Sequence, residues 1–365
     1  MARVEPATHP WAWWGWALLA AGAVSLSTNP LLLVLVIGAV AAVVLARRSD
    51  APWARSVTAY FVLALVIVGF RVLMQVVFGG QRTGFVLVTL PELELPTWAA
   101  GIRLGGPVTL NAVLSALYDG LRLAAIIICV GAANALANPR RALRNVPSAL
   151  HELSVAVVIA LSVAPQLVES LHRVRRARRL RGGAVKGLRA VPALIVPILE
   201  DAVERSLTLA TSMESRGYGR TRDLGRVPRW VSGALLIAVL VVTFGLFLLL
   251  GVPGGLWPGV ACLVVGVVAT VVGLRLSGRR LAVTRYRPDR WRWRETAVVA
   301  LGLAGLLAIV AVTLVDGASL NPATRPLVWP PLHPLFVVAA VAFAAPIAVT
   351  VPDVTPDPSR ERSPA

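Results

Sequence analysis

Two arginines that each precede a glycine are the residues of this chain best suited to binding another molecule. They lie in Leu180-Arg181-Gly182 and Ser215-Arg216-Gly217, and each follows a segment with helical periodicity. Since a glycine often ends a helix, each arginine is expected at a helix end. A guanidinium placed there can pair with a carboxylate through two hydrogen bonds. The dipeptides also fit ordinary helix termination, so they predict protein docking only together with their surroundings.

A second pair of charges lies inside a long apolar run. Asp119 and Arg122 are spaced i to i+3, which places both on one face of a helix. Charges inside a membrane are candidates for an ion or proton relay, but they also occur as mutually neutralised pairs against a neighbouring helix. Because this is one convincing pair in the whole chain, we favour the intramembrane ion pair.

Motifs for catalysis or metal binding do not occur in the sequence. Lys186 is the one lysine and precedes Gly187, so the chain has no phosphate-binding loop of the Walker type. Nucleophile-elbow and zinc-helix motifs are missing as well. Cys129 and Cys262 lie in apolar segments and are interpreted as buried small hydrophobes, and the four histidines lack ligand spacing. The sequence predicts no enzyme, no metal and no cofactor.

The composition indicates that the chain folds in lipid. A hydrophobic fraction of 57% with a mean hydropathy of +0.74 exceeds what one soluble core can bury. A helix needs ~20 residues to cross a hydrocarbon core of ~30 Å. We therefore predict an all-α integral membrane protein with about eight transmembrane helices. The predicted spans are 11–28, 31–46, 56–78, 109–136, 229–251, 257–276, 296–315 and 331–351.

The net charge of +18 is distributed by membrane side. Arginines concentrate in alternate loops, whereas the opposite loops contain only Arg82, Arg103 and Arg325. Positive charge beside spans stays cytoplasmic, which predicts a multi-pass protein of the cytoplasmic membrane with both termini inside. Anionic lipid headgroups account for part of the excess charge, and nucleic acid is not an expected partner.

Between predicted spans four and five lies an amphipathic region, which we expect to be cytoplasmic. An apolar helix over 149–164 is predicted to end at Pro165, and an arginine-rich amphipathic helix follows from Gln166. A second helix, about 191–215, has an apolar face that includes Leu199 and a polar side formed by Glu200, Asp201 and Glu204.

The sequence therefore divides into four parts. We predict an N-terminal bundle of four spans over 1–148 and a coupling-helix region over 149–228. Four further spans follow over 229–351, and a tail of 352–365 is expected to be disordered.

The residues around both arginines resemble a known family. Arg178-Arg179-Leu180-Arg181-Gly182 is followed about 35 residues later by Met213-Glu214-Ser215-Arg216-Gly217-Tyr218-Gly219. This arrangement is similar to the paired Ala-Arg-Gly motifs of the transmembrane T component of energy-coupling factor (ECF) transporters, the CbiQ-like family. Gly120-Leu121-Arg122-Leu123 and the Asn138-Pro139 turn extend the similarity to roughly residues 30–250.

The resemblance implies a non-catalytic membrane scaffold. Its coupling helices would seat on two ABC-type ATPases, while another face holds a substrate-binding membrane S subunit for a vitamin or a metal ion. Leu180 and Ser215 replace the usual alanines, and the arginine run leaves Arg178 or Arg179 as alternatives in the first motif. The ATPase-docking residues implied are Arg181, Gly182, Glu214, Arg216, Gly217 and Tyr218.

Two other functions remain open from the residues alone. A stand-alone secondary transporter would need substrate and ion sites near the middle of the membrane, often with inverted repeats. A structural membrane protein that binds anionic lipid would tolerate moving its arginines, whereas a docking surface would not.

Overall fold

The computed structural model describes residues 8–48, 57–78, 84–94, 103–146, 151–180, 190–217, 229–251, 256–278 and 289–350. These residues form helices and one hairpin, which confirms the predicted all-α membrane fold. The two strands, β1 (Val86–Glu94) and β2 (Arg103–Thr109), pair antiparallel between the third and fourth helices. The helices are α1 (Pro10–Ser25), α2 (Pro30–Arg47), α3 (Val57–Phe78), α4 (Leu110–Leu136), α5 (Pro139–Arg144), α6 (His151–Leu180), α7 (Ala190–Ser215), α8 (Arg229–Gly251), α9 (Leu256–Gly278), α10 (Trp293–Leu320), α11 (Pro334–Ala344) and α12 (Pro346–Val349).

Six of the described helices are long and apolar enough to cross a membrane. They are Pro30–Arg47, Val57–Phe78, Leu110–Leu136, Leu153–Leu180, Trp257–Leu276 and Trp293–Leu320. Two shorter apolar helices, Gly233–Leu248 and Pro334–Val349, fall at two further predicted spans. The first predicted span corresponds to α1, which has only 16 residues. The first half of α6 is apolar enough to be included, although its second half carries five arginines.

The predicted helix end at Pro165 is wrong, because α6 continues through this residue as a single helix of 30 residues. A proline removes one backbone hydrogen bond from a helix, and this loss normally favours a break. The backbone groups on both sides of the proline keep their partners when the helix continues, so only this one bond is lost. The hydroxyl of Ser162 adds a hydrogen bond to the Val158 carbonyl just before the proline. Pro197 likewise lies inside the continuous helix α7.

Among the described residues, the chain forms two compact units. The first, called the bundle unit, comprises Met1–Ala142 and Asp289–Ala365. In it, α1 packs on α4 and α10, while α2 packs on α4 and α11. Trp16, Ile309 and Phe336 are fully buried in the shared core. The late helices α10 and α11 are therefore part of the same core as the first two helices, and the predicted four-part division of the sequence stays a prediction.

Polar contacts join the α1–α2 turn to the end of α10. Ser27 donates to the Leu320 carbonyl at 2.6 Å. The buried Asn29 accepts from the Leu31 amide, which caps α2, and donates to the carbonyls of Ser319 and Pro331 at 2.8 and 2.9 Å. Because a carbonyl buried without a donor costs about 1–3 kcal/mol, these contacts fix the register between the two ends of the chain.

The second unit comprises Leu143–Pro288 and contains two helix pairs, α6 with α7 and α8 with α9. Glycines allow α8 and α9 to approach closely. A Cβ on Gly266 would lie 2.9 Å from the Val242 amide nitrogen, and one on Gly245 would lie 2.8 Å from the Leu263 amide nitrogen. Small residues at helix contacts are typical of membrane helices, because dispersion contacts replace hydrophobic burial there.

The α3–α4 contact also depends on a glycine. A Cβ at Gly131 would lie 2.5 Å from Cγ and 2.8 Å from Cβ of Tyr60. Asn134 donates to the Tyr60 hydroxyl at 2.9 Å, which holds the ring over Gly131. The space cannot be recovered by moving only the tip of the tyrosine.

We expect Gly131→Ala to lower the thermal unfolding midpoint in detergent, since overpacking of this kind costs about 1–3 kcal/mol. Gly38→Ala in α2 is the matched control, because no atom lies within 4 Å of a Cβ added there. Equal midpoints for the two variants would contradict the close approach of α3 and α4.

Candidate docking site

A carboxylate at the middle of α7 holds that helix against α6. Asp201 accepts hydrogen bonds from Ser170 Oγ at 2.7 Å and Arg205 Nε at 2.9 Å, and Arg173 Nη2 lies 3.3 Å away. Arg205 also donates to Gln166 Oε1 at 3.3 Å. Ser170, Arg173 and Gln166 belong to α6, so the network crosses the helix contact. We call it the Asp201 clamp.

The clamp keeps Asp201 ionised. Hydrogen bonds from Arg205 and Ser170 hold the pKa of Asp201 below its usual value of 3.8, and the charges of Arg205 and Arg173 act in the same direction. A depressed pKa means that the folded state favours the carboxylate. The stabilisation is therefore fully present above the usual pKa and is lost only as pH falls through the lower folded value.

The apolar stripe of α7 lies on its uncovered side. Val196, Leu199, Val203 and Leu207 follow one another at helical spacing and are all more than half exposed. Together with Glu200 and Glu204 they line a shallow apolar groove. The sequence had placed Asp201 with these two glutamates on one polar side. The structure separates them, because Asp201 turns toward Ser170 and Arg173 of α6, which a pattern along one helix cannot reveal.

The end of α7 presents the second Arg-Gly motif. Gly217 has φ of +76°, and its amide donates to the Glu214 carbonyl at 2.9 Å. The Arg216 amide donates to the Met213 carbonyl at 3.2 Å. This left-handed glycine ends the helix and leaves the side chains of Glu214 and Arg216 exposed. No carboxylate in the described part of the chain lies within ion-pair distance of Arg216.

The first motif lies partly outside the described residues. Arg178 is partly buried and Arg179 is exposed, both in the last turn of α6. Arg181, Gly182 and Tyr218 fall outside the described part of the chain. Since cations near a helix C-terminus complement its dipole, Arg178 and Arg179 also stabilise the end of α6. Their geometry is equally compatible with helix termination and with docking.

Arg71 on α3 joins the intramembrane pair of Asp119 and Arg122, although the sequence pattern did not indicate it. Asp119 Oδ1 lies 3.7 Å from Arg122 Nη2, and Asp119 Oδ2 lies 3.2 Å from Nη2 of Arg71 on α3. Arg71 is 48 residues from Asp119 in the sequence. An isolated arginine within the apolar run of α3 was the available signal, because such a charge needs a partner in lipid.

Potential metal ligands are scattered. Within the described ranges, His, Cys, Asp and Glu side chains form no group of three that could hold a metal ion. Cys129 and Cys262 are free thiols in α4 and α9.

We expect Asp201→Asn to loosen α6 from α7, because the neutral amide loses the charge attraction to Arg173 and Arg205 and has one acceptor oxygen instead of two. The measurement is the distance distribution between spin labels at His172 and Ser206 in a cysteine-free background. It should broaden in Asp201→Asn and remain narrow in the control Glu200→Gln. An unchanged distribution in Asp201→Asn would show that the clamp does not fix the helix pair.

Comparisons with known proteins agree with the resemblance drawn from the Arg-Gly motifs. The family described as "CbiQ: Cobalt transport protein" matches residues 4–227, more than half of the chain. The energy-coupling factor transporter transmembrane protein EcfT of Exiguobacterium sibiricum is 35% identical over 108 residues, 27% of this chain and 40% of that protein.

Longer alignments extend the relationship at lower identity. The EcfT protein of Listeria innocua is 29% identical over 185 residues, covering 48% of this chain and 68% of that protein. The EcfT protein of Thermotoga maritima is 26% identical over 216 residues, covering 53% of this chain and 79% of that protein. The most significant alignments span less than half of the relatives' length. With its multi-helix membrane fold and the family match over residues 4–227, the chain belongs to the CbiQ family of transporter membrane components.

Proposed function

We propose that this chain is the non-catalytic transmembrane coupling subunit of an ECF-type importer. In this function two ABC-type ATPases hydrolyse ATP, and a separate substrate-binding S subunit in the membrane carries a vitamin or a metal ion. The observation that carries the proposal is the exposed Arg216 at the glycine-terminated end of α7. Because the chain belongs to the CbiQ family, we interpret this arginine as a docking residue.

The geometry of Arg216 suits docking into an acidic groove. Because Gly217 turns the backbone immediately after it, the guanidinium extends from the helix end without a following turn of helix beside it. A planar guanidinium forms bidentate bonds with a carboxylate, which gives the contact a defined direction. We assign Glu214, Gly217 and Tyr218 to the same contact surface, and Arg181 with Gly182 to the corresponding contact on the other ATPase.

The Asp201 clamp supplies the rigidity that coupling requires. A force applied at the end of α7 is transmitted to α6 through Ser170 and Arg173, since both side chains bond to Asp201. ATP-driven closure of two ATPases would therefore move the helices as a pair. The exposed stripe of Val196, Leu199, Val203 and Leu207 is a suitable apolar surface for the substrate-binding membrane subunit, which would tilt or be released by that motion.

The arginine distribution supports an orientation. Positive charge beside spans favours the cytoplasmic side, so we place both termini and the α6–α7 pair there, in the cytoplasmic membrane. The exposed arginines of α6 beside the clamp, which include Arg175 and Arg176, would also attract anionic lipid headgroups, at about 1 kcal/mol for each arginine. Lipid attraction of this size assists membrane placement but does not specify a partner.

We expect Arg216→Glu to abolish association with the ABC-type ATPases while leaving membrane insertion intact. Charge reversal places a carboxylate against carboxylates and costs ~2–5 kcal/mol, which weakens binding roughly 30-fold or more. The measurement is co-purification and binding affinity of the co-expressed ATPases with wild-type and variant chains in detergent.

Two controls distinguish docking from general electrostatics. Arg175→Glu carries the same charge change on exposed α6 surface, outside the residues assigned to docking, and we expect at most about a fivefold loss there. Arg216→Lys keeps the charge but loses the bidentate geometry, so it should bind with intermediate affinity. Equal losses for Arg216→Glu and Arg175→Glu would indicate a general electrostatic attraction and contradict the proposed docking at Arg216.

A further inference from the structure

A three-membered charge cluster lies between α3 and α4, two helices long and apolar enough to span the membrane. Arg71 Nη2 is 3.2 Å and Arg122 Nη2 is 3.7 Å from the two carboxylate oxygens of Asp119. The side chains of Arg71, Asp119 and Arg122 retain 50%, 30% and 36% of their accessible surface. The cluster is therefore formed within the span and remains open on one side.

The cluster has an excess positive charge. Two guanidiniums, which do not deprotonate in proteins, share one carboxylate. Among the described residues, Asp119 is the only carboxylate within ion-pair distance of either arginine. Charges inside a bilayer are costly unless they are paired, so one arginine lacks a full partner.

The depth of the cluster limits which anion can reach it. Arg71 is seven residues from the nearer end of α3, which corresponds to about 10 Å along the helix. Arg122 is 12 residues from the nearer end of α4, about 18 Å along that helix. Arginines near helix ends can extend to lipid phosphates, but Asp119 holds both guanidiniums within the span. An anion at this depth is more readily supplied by a protein side chain than by a headgroup.

The open side of the charge cluster lies on the exposed face of α3. The main contacts of α3 are with α4 and the β-hairpin, and Phe61, Leu65, Phe70 and Leu73 on α3 are exposed. On the covered side, Gly120 lies against the α3 backbone, where an added Cβ would be 3.2 Å from the Val68 Cα. Arg71 is consequently accessible to a helix that packs along α3.

We propose that Arg71, Asp119 and Arg122 form a binding site within the bilayer for a carboxylate carried by a transmembrane helix of a partner protein. The incoming Asp or Glu would pair with the exposed guanidinium of Arg71 and neutralise the cluster. The apolar residues of α3 would cover the rest of that helix. This contact is independent of ATPase docking at Arg216, because it involves different residues and a partner within the membrane.

The test uses the full chain in phosphatidylcholine vesicles at pH 8 and two synthetic transmembrane peptides. Both peptides are Leu-Ala helices of about 21 residues, long enough to span, and they differ only by a central Glu or Gln. Binding is measured by energy transfer between labelled peptide and labelled chain. We expect the Glu peptide to bind wild type roughly tenfold more tightly than the Gln peptide.

The variants test each arginine separately. Arg71→Gln should remove the preference for Glu. Arg122→Gln should also reduce the preference, and it serves as a second test if Arg71→Gln does not fold. Arg275→Gln in the last turn of α9 is the control, where the preference should equal that of wild type.

Three results would overturn the proposal. The first is equal affinity of the wild-type chain for the Glu and Gln peptides. The second is a Glu preference that persists in folded Arg71→Gln and Arg122→Gln. The third is loss of the Glu preference when the vesicles contain phosphatidylglycerol, since a net anionic lipid headgroup would then occupy the site.

Discussion

The carboxylate of Asp201 accepts hydrogen bonds from side chains of both α6 and α7, and the proposed coupling mechanism depends on this contact. Most of the apolar residues of α7 face away from α6, so hydrophobic packing alone does not fix the pair. The ionic contact leaves the stripe of Val196, Leu199, Val203 and Leu207 uncovered and sets the direction in which α7 ends. Arg216 at that end is consequently held by a helix pair, which can transmit force better than a single helix.

The bundle unit forms its core from apolar helices, of which α1 and α2 are short. The 16 residues of α1 are too few to span alone, and Trp16 on this helix is fully buried in the core shared with α4 and α10. Asn29 and Ser27 bind carbonyls at the end of α10, which joins residues almost 300 positions apart. The late helices, which follow the part of the chain matched by the family, thus complete the core of the early ones.

Local pattern was sufficient to predict most helices and the second Arg-Gly helix end. Apolar runs gave the positions of α2, α3, α4, α8, α9 and α10, and the glycine after Arg216 predicted the end of α7. Local rules failed where distant residues decide the outcome. Pro165 does not break α6, and Asp201 turns toward Ser170 and Arg173 on another helix. Arg71 joins Asp119 across 48 residues, which no spacing along one helix could indicate.

The proposed coupling function predicts which proteins form a complex with this chain, and purification of that complex tests the prediction directly. The chain is isolated from its native membrane in mild detergent, and every protein that co-purifies is identified and quantified. The account predicts a complex containing two ABC-type ATPase subunits and a small hydrophobic membrane protein, whose identity would reveal the substrate. Recovery of the chain alone, folded and stable, would contradict the coupling function and favour a secondary transporter or a lipid-bound scaffold.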